Sequence, residues 1–287
     1  MKSYLSLIKF SHSIFALPFA IIGALLGHRD GYDLSLILFI KIILCMVLAR
    51  GAAMAFNRLA DERYDRLNPR TAGREIPSGV ISKQNALWFV IFCCVAFVMT
   101  TFFINRICFY LSPVALITIL GYSFTKRWTA LCHLILGSGL ALAPIGSYLA
   151  VTGKFSLIPV LFSGVVFYWV SGFDIIYALQ DEDFDKSQRL HSIPAWLGKE
   201  RALKVSRILH LICALILLFV SWQLYIKVDL RWSFMIWVAA AIFITMLVYQ
   251  HTIVSAKDLS KVNLAFFTTN GLASVIYGAL LGLALLI

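Results

Sequence analysis

Charge is scarce in this sequence: Asp, Glu, Lys and Arg make up only 14% of its 287 residues, against 61% hydrophobic ones. A soluble chain of that length needs far more charge to cover its surface, so the composition excludes a water-soluble globular domain and makes lipid the main solvent. Acidic residues are scarcer still, 14 against 25 basic ones, and the formal net charge is +11. In so apolar a chain that excess points to loops beside anionic lipid, or to an anionic substrate, rather than to nucleic acid. Paired cysteine spacing is also missing. The six cysteines, at positions 45, 93, 94, 108, 132 and 213, fall in or beside apolar stretches, which argues against a zinc ribbon and for small core or lipid-side residues. Residues 1–27 lack a small-residue cleavage site followed by a soluble domain, and Pro18 interrupts their apolar run, so this stretch reads as a first membrane span rather than a secretory leader.

Long apolar runs are abundant. They lie at about 12–27, 35–60, 86–104, 107–122, 130–150, 156–180, 204–225, 232–251 and 264–287, each near the length that crosses a bilayer. This predicts an all-α, nine-helix transmembrane bundle forming a single domain over 1–287. On that count most of the 25 Lys and Arg residues fall on the face that also receives the N-terminus, which places the N-terminus in the cytoplasm and the C-terminus outside. The break at Asn105 and Arg106 is the shortest in the chain.

Two polar segments on the cytoplasmic face resemble each other. Asp61-Glu62-Arg63-Tyr64-Asp65-Arg66 recurs as Asp181-Glu182-Asp183-Phe184-Asp185-Lys186, and each copy is followed by an Ile-Pro pair, Ile76-Pro77 and Ile193-Pro194. An even number of spans separates the copies, so a weak parallel internal repeat brings both to one membrane face. On a continuous helix Asn57, Asp61 and Asp65 share a side, as do Asp174, Asp181 and Asp185. Grouped carboxylates repel one another unless cations neutralise them. Open oxygen-ligand sets of this kind suit Mg²⁺ held jointly with substrate phosphates, with a diphosphate as the bridging ligand. The bland alternative, solvated helix ends with capping acids, accounts less well for two such stripes, because acids in membrane segments are costly and usually functional.

Cations surround the acids. Arg58, Arg63, Arg66, Arg70 and Arg74 follow the first stripe, and Lys186, Arg189 and Lys199 follow the second; some meet phosphate and others only set the topology. Tyr122 and Lys126, four residues apart, can aim a hydroxyl and an ammonium at one anion. Arg50 lies seven residues before Asn57, on about the same face and deeper in the membrane, where a guanidinium needs an anion: the carboxylate or phenolate of an acceptor, or a structural salt bridge. Among the aromatics, Tyr177 stands between two aspartates and is the favoured ring for a carbocation. His12 and His191 are candidates to line the site, without the spacing of a metal pair.

These residues resemble a known family. Asn57-Arg58-x-x-Asp61-x-x-x-Asp65, together with Asp174-x-x-Tyr177-x-x-x-Asp181-x-x-x-Asp185, looks like the two aspartate-rich motifs of the UbiA prenyltransferases. The likeness extends to Arg70-Thr71-x-x-Arg74, Pro77-x-Gly79, Tyr122-x-x-x-Lys126 and His191-Ser192-Ile193-Pro194. It implies a bundle around a central cavity, with Mg²⁺ held by Asn57, Asp61 and Asp65 on one side and by Asp174, Asp181 and Asp185 on the other. Tyr122 and Lys126 would grip the diphosphate, with Arg70 and Arg74 beside them, and Arg50 and Tyr177 would meet the acceptor. Many members begin the first motif with Asn-Asp; the Asn-Arg start here bears on the subfamily. It is shared by the bacterial 4-hydroxybenzoate polyprenyltransferases and the related enzymes of the futalosine route to menaquinone, two groups that the sequence does not divide.

The implied activity is ionisation of a polyprenyl diphosphate and transfer of the prenyl group to a small aromatic acid in quinone biosynthesis, in a bacterial-type inner membrane with the site facing the cytoplasm. Asp61, Asp65, Asp181 and Lys126 would carry the chemistry. Nucleic acid and an obligatory protein partner are not expected. A cation-coupled secondary transporter is the rival from another class, but its site belongs nearer the membrane midplane than these acids. A phosphatidyl-alcohol transferase lacks its Asp-Gly-x-x-Ala-Arg string here.

Overall fold

The computed structural model describes Leu7 and residues 15–227 and 232–286, and among them every regular element is helical. α1 (Leu17–Arg29) has Pro18 in its first turn, where the missing N–H is no loss; the proline starts a helix instead of interrupting one. α2 (Leu36–Ala60) is capped by Ser35, whose Oγ accepts the Leu38 N–H at 3.2 Å, and runs into the short α3 (Glu62–Leu67). α4 (Lys83–Phe102) is capped in the same way by Ser82. α5 (Arg106–Thr125) is capped by Asn105, whose amide also donates to the Leu149 and Ala150 carbonyls of α6 (Cys132–Thr152). One asparagine thus starts one helix and clamps it to another; such caps contribute about 1 kcal/mol each.

α7 (Leu157–Ala178) continues through a 3₁₀ turn, Leu179–Asp181, into α8 (Glu182–Ser187). α9 (Ile193–Leu197), α10 (Lys199–Tyr225) and α11 (Phe234–Ile253) follow; a π-helical turn, Leu264–Thr269, then opens α12 (Asn270–Leu286). Among the described residues eight helices are long and apolar enough to cross a membrane, and α1 is a shorter apolar helix of 13 residues. Large apolar side chains on the outside, such as Ile117 at 72% and Tyr110 at 70% exposure, have only lipid to cover them. The chain is therefore an integral, multi-pass membrane protein.

The helices close around α7, which packs between α6 and α10, while α1 packs on α6 and α12 packs on α1 and α11. Small residues set the approach. A Cβ on Gly137 of α6 would lie 2.2 Å from Ser171 Oγ and 2.7 Å from the Phe167 carbonyl of α7, so the two backbones touch there. At the centre, buried Trp169 donates its indole N–H to Asn270 at 2.8 Å.

The two acidic segments depart from the continuous helices that their spacing suggests. α2 ends at Asp61 (φ −95°, ψ 7°) and α7 ends in a turn at Asp181 (φ −103°, ψ 4°), so each motif pivots on its middle aspartate. Hydrogen bonding still threads the first pivot: Asp61 N–H donates to Asn57 O at 2.9 Å and Asp65 N–H to Asp61 O at 2.8 Å. The shared break gives the internal repeat a structural counterpart.

Candidate active site

One cavity of about 790 Å³ opens between the two kinked segments. The twelve residues that the family resemblance assigns to the site all line it: Asn57, Asp61 and Asp65; Asp174, Asp181 and Asp185; Tyr122 and Lys126; Arg70 and Arg74; Arg50 and Tyr177; of the surrounding cations Arg58 does so too, whereas Arg63, Arg66, Lys186, Arg189 and Lys199 do not. His191 is not among the lining residues. Its side chain is exposed, and its backbone reaches the region instead, the N–H donating to the Lys126 carbonyl at 2.7 Å and the carbonyl accepting from Cys132 Sγ at 3.6 Å. His12 lies outside the described residues.

Four of the five acids are held by a cation of the protein itself, and the fifth, Asp174, by an imidazole. Arg70 grips Asp181 through Nε–Oδ1 at 3.0 Å and Nη2–Oδ2 at 2.5 Å, and its Nη1 donates to the Tyr177 hydroxyl at 2.9 Å. Arg74 donates Nη1–H to both oxygens of Asp65 at 2.7 and 2.9 Å. Lys126 Nζ sits 2.7 Å from Asp185 Oδ1, while Ser192 donates to the other oxygen at 2.8 Å. Arg127 stands 3.8 Å from Asp61, whose second oxygen accepts from Asn57 Nδ2 at 3.0 Å. Asp174 accepts from His133 Nδ1 at 2.7 Å, and His133 Nε2 accepts the Ile193 N–H at 3.3 Å.

Electrostatics explain the pattern. Burial first, and Asp65 second, push the Asp61 carboxyl up to about 6. Burial works against the charge on Lys126, but Asp185 outweighs it and holds the ammonium above its ordinary range. Among the described residues no three acidic, histidine or cysteine side chains converge closely enough to hold a metal ion by themselves. The donor set still fits a hard divalent cation: only oxygens are offered, from carboxylates and one amide, on facing walls of one cavity, and the strain on Asp61 is of the kind a cation relieves. Such a cation needs further oxygens from a ligand, and it has to displace guanidinium and ammonium groups now seated on the carboxylates.

Two cations are different. Arg50 and Arg58 line the cavity without a hydrogen bond or ion pair among the described residues, although Arg50 Nε and Arg58 Nε and Nη1 are buried. Buried guanidinium nitrogens without a hydrogen-bond partner are costly, and an anion entering the cavity would offset that cost. Arg50 lies on α2 about 16 Å below Asp61 by helical rise. Around it the cavity turns apolar, with Met54, Leu136, Leu140 and Val170 in its walls.

Sequence reasoning missed several lining residues. Arg127 adjoins Lys126 and was findable as its neighbour. His133 had no local signal, because its partner Asp174 comes from another helix. Phe15, Phe173, Phe266 and Phe267 also line the cavity, and nothing in their sequence context separates them from the other apolar-face aromatics.

Residues 16–272 match the UbiA prenyltransferase family. The chain is similar to the 4-hydroxybenzoate octaprenyltransferase of Photobacterium profundum, with 26% identity over 287 residues, 99% of this chain and 96% of the relative. It superimposes on the apo structure of a UbiA homolog from Aeropyrum pernix K1 with a TM-score of 0.81 at 32% identity, covering 94% of this chain and 96% of the other. A UbiA homolog from Archaeoglobus fulgidus bound to GPP and Mg²⁺ shares the fold at a TM-score of 0.75 and 22% identity, over 99% of each chain. Aspartate pivots at equivalent places in two repeats, a cation-lined cavity between them and a match along nearly the whole chain converge on one statement: the protein belongs to the UbiA prenyltransferase family.

Proposed function

We propose that the protein transfers a polyprenyl group from a polyprenyl diphosphate to a small aromatic acid, 4-hydroxybenzoate or a dihydroxynaphthoate-type acceptor, in quinone biosynthesis. The observation that carries this reading is the single cavity in which two carboxylate arms, four paired cations and two unpaired guanidiniums meet. Mg²⁺, when bound, supplies positive charge to the leaving diphosphate. Asn57, Asp61 and Asp65 on one wall, and Asp181 and Asp185 on the other, are the residues to hold it, with Asp174 deeper beside His133. Arg70, Arg74 and Lys126, once released from their carboxylates, turn to the phosphate oxygens, and Tyr122 donates its hydroxyl.

The C1–O bond then breaks and its electron pair leaves with the diphosphate. Arg50 holds the acceptor carboxylate, which keeps the acceptor ring above the apolar floor and in line with C1. The ring carbon ortho to the acceptor hydroxyl supplies the new bond, and its proton passes to the departing diphosphate, the base that the step itself generates. The prenyl tail is as apolar as lipid, so a site open sideways to the bilayer suits it. In a bacterial-type cytoplasmic membrane, with the N-terminus inside, the mouth of the cavity faces the cytoplasm.

The test is to supply purified protein with a labelled prenyl diphosphate and either 4-hydroxybenzoate or a dihydroxynaphthoate, with and without Mg²⁺. Metal-dependent prenylation of one acceptor is expected, and the preferred acceptor separates the two quinone routes. No prenylated product from either acceptor sinks the reading.

A further inference from the structure

The last transmembrane segment enters the cavity wall through a costly piece of geometry. Leu264–Thr269 is wound as a π-helix, a form that is rare and deprives backbone carbonyls of their usual partners. Asn270 restores them: its Nδ2 donates to the Ala265 and Phe266 carbonyls at 3.0 Å each, while Thr269 Oγ1 donates to Leu264 O at 3.2 Å. The Asn270 Oδ1 in turn accepts from Trp169 Nε1 and from Gln250 Nε2, both at 2.8 Å. Asn270, Gln250 and Trp169 are all 0% exposed. An ordinary α-helix would satisfy its own backbone at this depth, so a buried polar network that sustains a π turn has some other product.

That product is a pair of rings on the cavity wall. Phe266 and Phe267 both line the cavity, and Phe266 lies 4.2 Å, centroid to centroid, from the Tyr177 ring. Phe267 packs edge-on against Phe266 at 4.6 Å, and Phe173 does so from α7 at 5.2 Å. The wall already carries a cation: the Arg70 guanidinium stands 5.2 Å from the centroid of the Tyr177 ring. Tyr177 is four residues before Asp181, so the ring cluster begins where the diphosphate-facing wall ends.

We propose that Phe266 and Phe267, set in place by Asn270, form the face that stabilises the allylic cation of the prenyl donor. This rests on the prenyl-transfer reading. When the C1–O bond breaks, positive charge spreads over C1 and C3, and the negative ring faces attract that charge more strongly than the neutral allyl group. Their contribution therefore falls on turnover and not on donor binding. Phe266 and Phe267 act on the reacting carbons, and Asn270 is a positioning residue.

The experiment uses the purified full chain in detergent and compares kcat with the affinity for a thiodiphosphate analogue of the donor, whose bridging sulfur resists ionisation. Phe266→Leu and Phe267→Leu are each expected to lower kcat by about 5- to 30-fold and to leave analogue affinity within about twofold. Phe266→Tyr, which keeps the ring, is expected to restore kcat, and Asn270→Leu to reproduce the kcat loss of Phe266→Leu without a loss of analogue affinity. Should Asn270→Leu fail to fold, the Leu and Tyr variants at Phe266 carry the test alone. Unchanged kcat in both Leu variants, or analogue affinity falling in step with kcat, overturns the inference. A wild-type protein that prenylates neither acceptor overturns the parent reading instead.

Discussion

Arg70 offers the sharpest test of how the site is loaded, because it gives two effects of opposite sign. The guanidinium holds Asp181 by two charge-assisted hydrogen bonds, and the same side chain is proposed to meet the diphosphate. Hydrogen bonds to charged groups contribute about 1.5 to 3 kcal/mol. Arg70 is 33% exposed and Asp181 10%, so solvent screening puts the pair at the lower end, about 1.5 kcal/mol or one power of ten. A metal ion that takes Asp181 has to displace this interaction. Arg70→Gln is therefore expected to tighten Mg²⁺ or Mn²⁺ binding about tenfold in the absence of diphosphate, and to weaken thiodiphosphate binding by a similar factor. Titration calorimetry on the detergent-solubilised protein measures both, and thermal midpoints check that the variant remains folded. If Arg70→Gln binds the metal no better, or worse, when diphosphate is absent, Arg70 is not the group that the metal displaces, and the exchange picture is wrong.

The acids themselves give a coarser test: Asp61→Ala and Asp181→Ala are expected to abolish turnover while the protein still inserts and folds, and retained activity in either would remove that carboxylate from the ligand set. Arg50→Met is expected to raise the acceptor KM by at least about tenfold, the value of one ionic contact, and to leave donor affinity unchanged; an unaltered acceptor KM would place the acid elsewhere. Arg58 is 2% exposed with unpartnered nitrogens, and an unmet buried donor costs about 1 to 3 kcal/mol. Arg58→Met should then raise the thermal midpoint of the ligand-free protein while weakening substrate binding, and a lowered midpoint would mean that the guanidinium is already satisfied. At the α6–α7 contact, Gly137→Ala forces a methyl against the Phe167 carbonyl, which cannot step aside, so a clear drop in thermal midpoint is expected; an unchanged value would show that the two helices can part at no cost.

Much of the fold was legible because lipid imposes a strong and simple pattern. Apolar runs in lipid have to be helices, and eight of them have spanning length among the described residues. Helical phase also sufficed to keep Asn57, Asp61 and Asp65 on one cavity wall, since a period of four survives a kink that keeps the i to i+4 hydrogen bonds across it. The kinks themselves were not legible. Nothing local to Asp61 or Asp181 distinguishes a pivot from a further helical turn. The partners were hidden for a related reason. Arg70 meets Asp181 across 111 residues and His133 meets Asp174 across 41, so their pairing is a property of the closed bundle and not of either segment. The repeat, however, makes the pairing intelligible. A first-motif arginine, Arg70, neutralises the second-motif pivot, and a cation from the α5–α6 turn, Arg127, stands by the first. Each pivot is countered by a cation from outside its own motif, so a metal ion that takes either aspartate has to release that cation. An anion that bridges the two walls would meet the cations so released, which is the exchange that the Arg70→Gln titration tests.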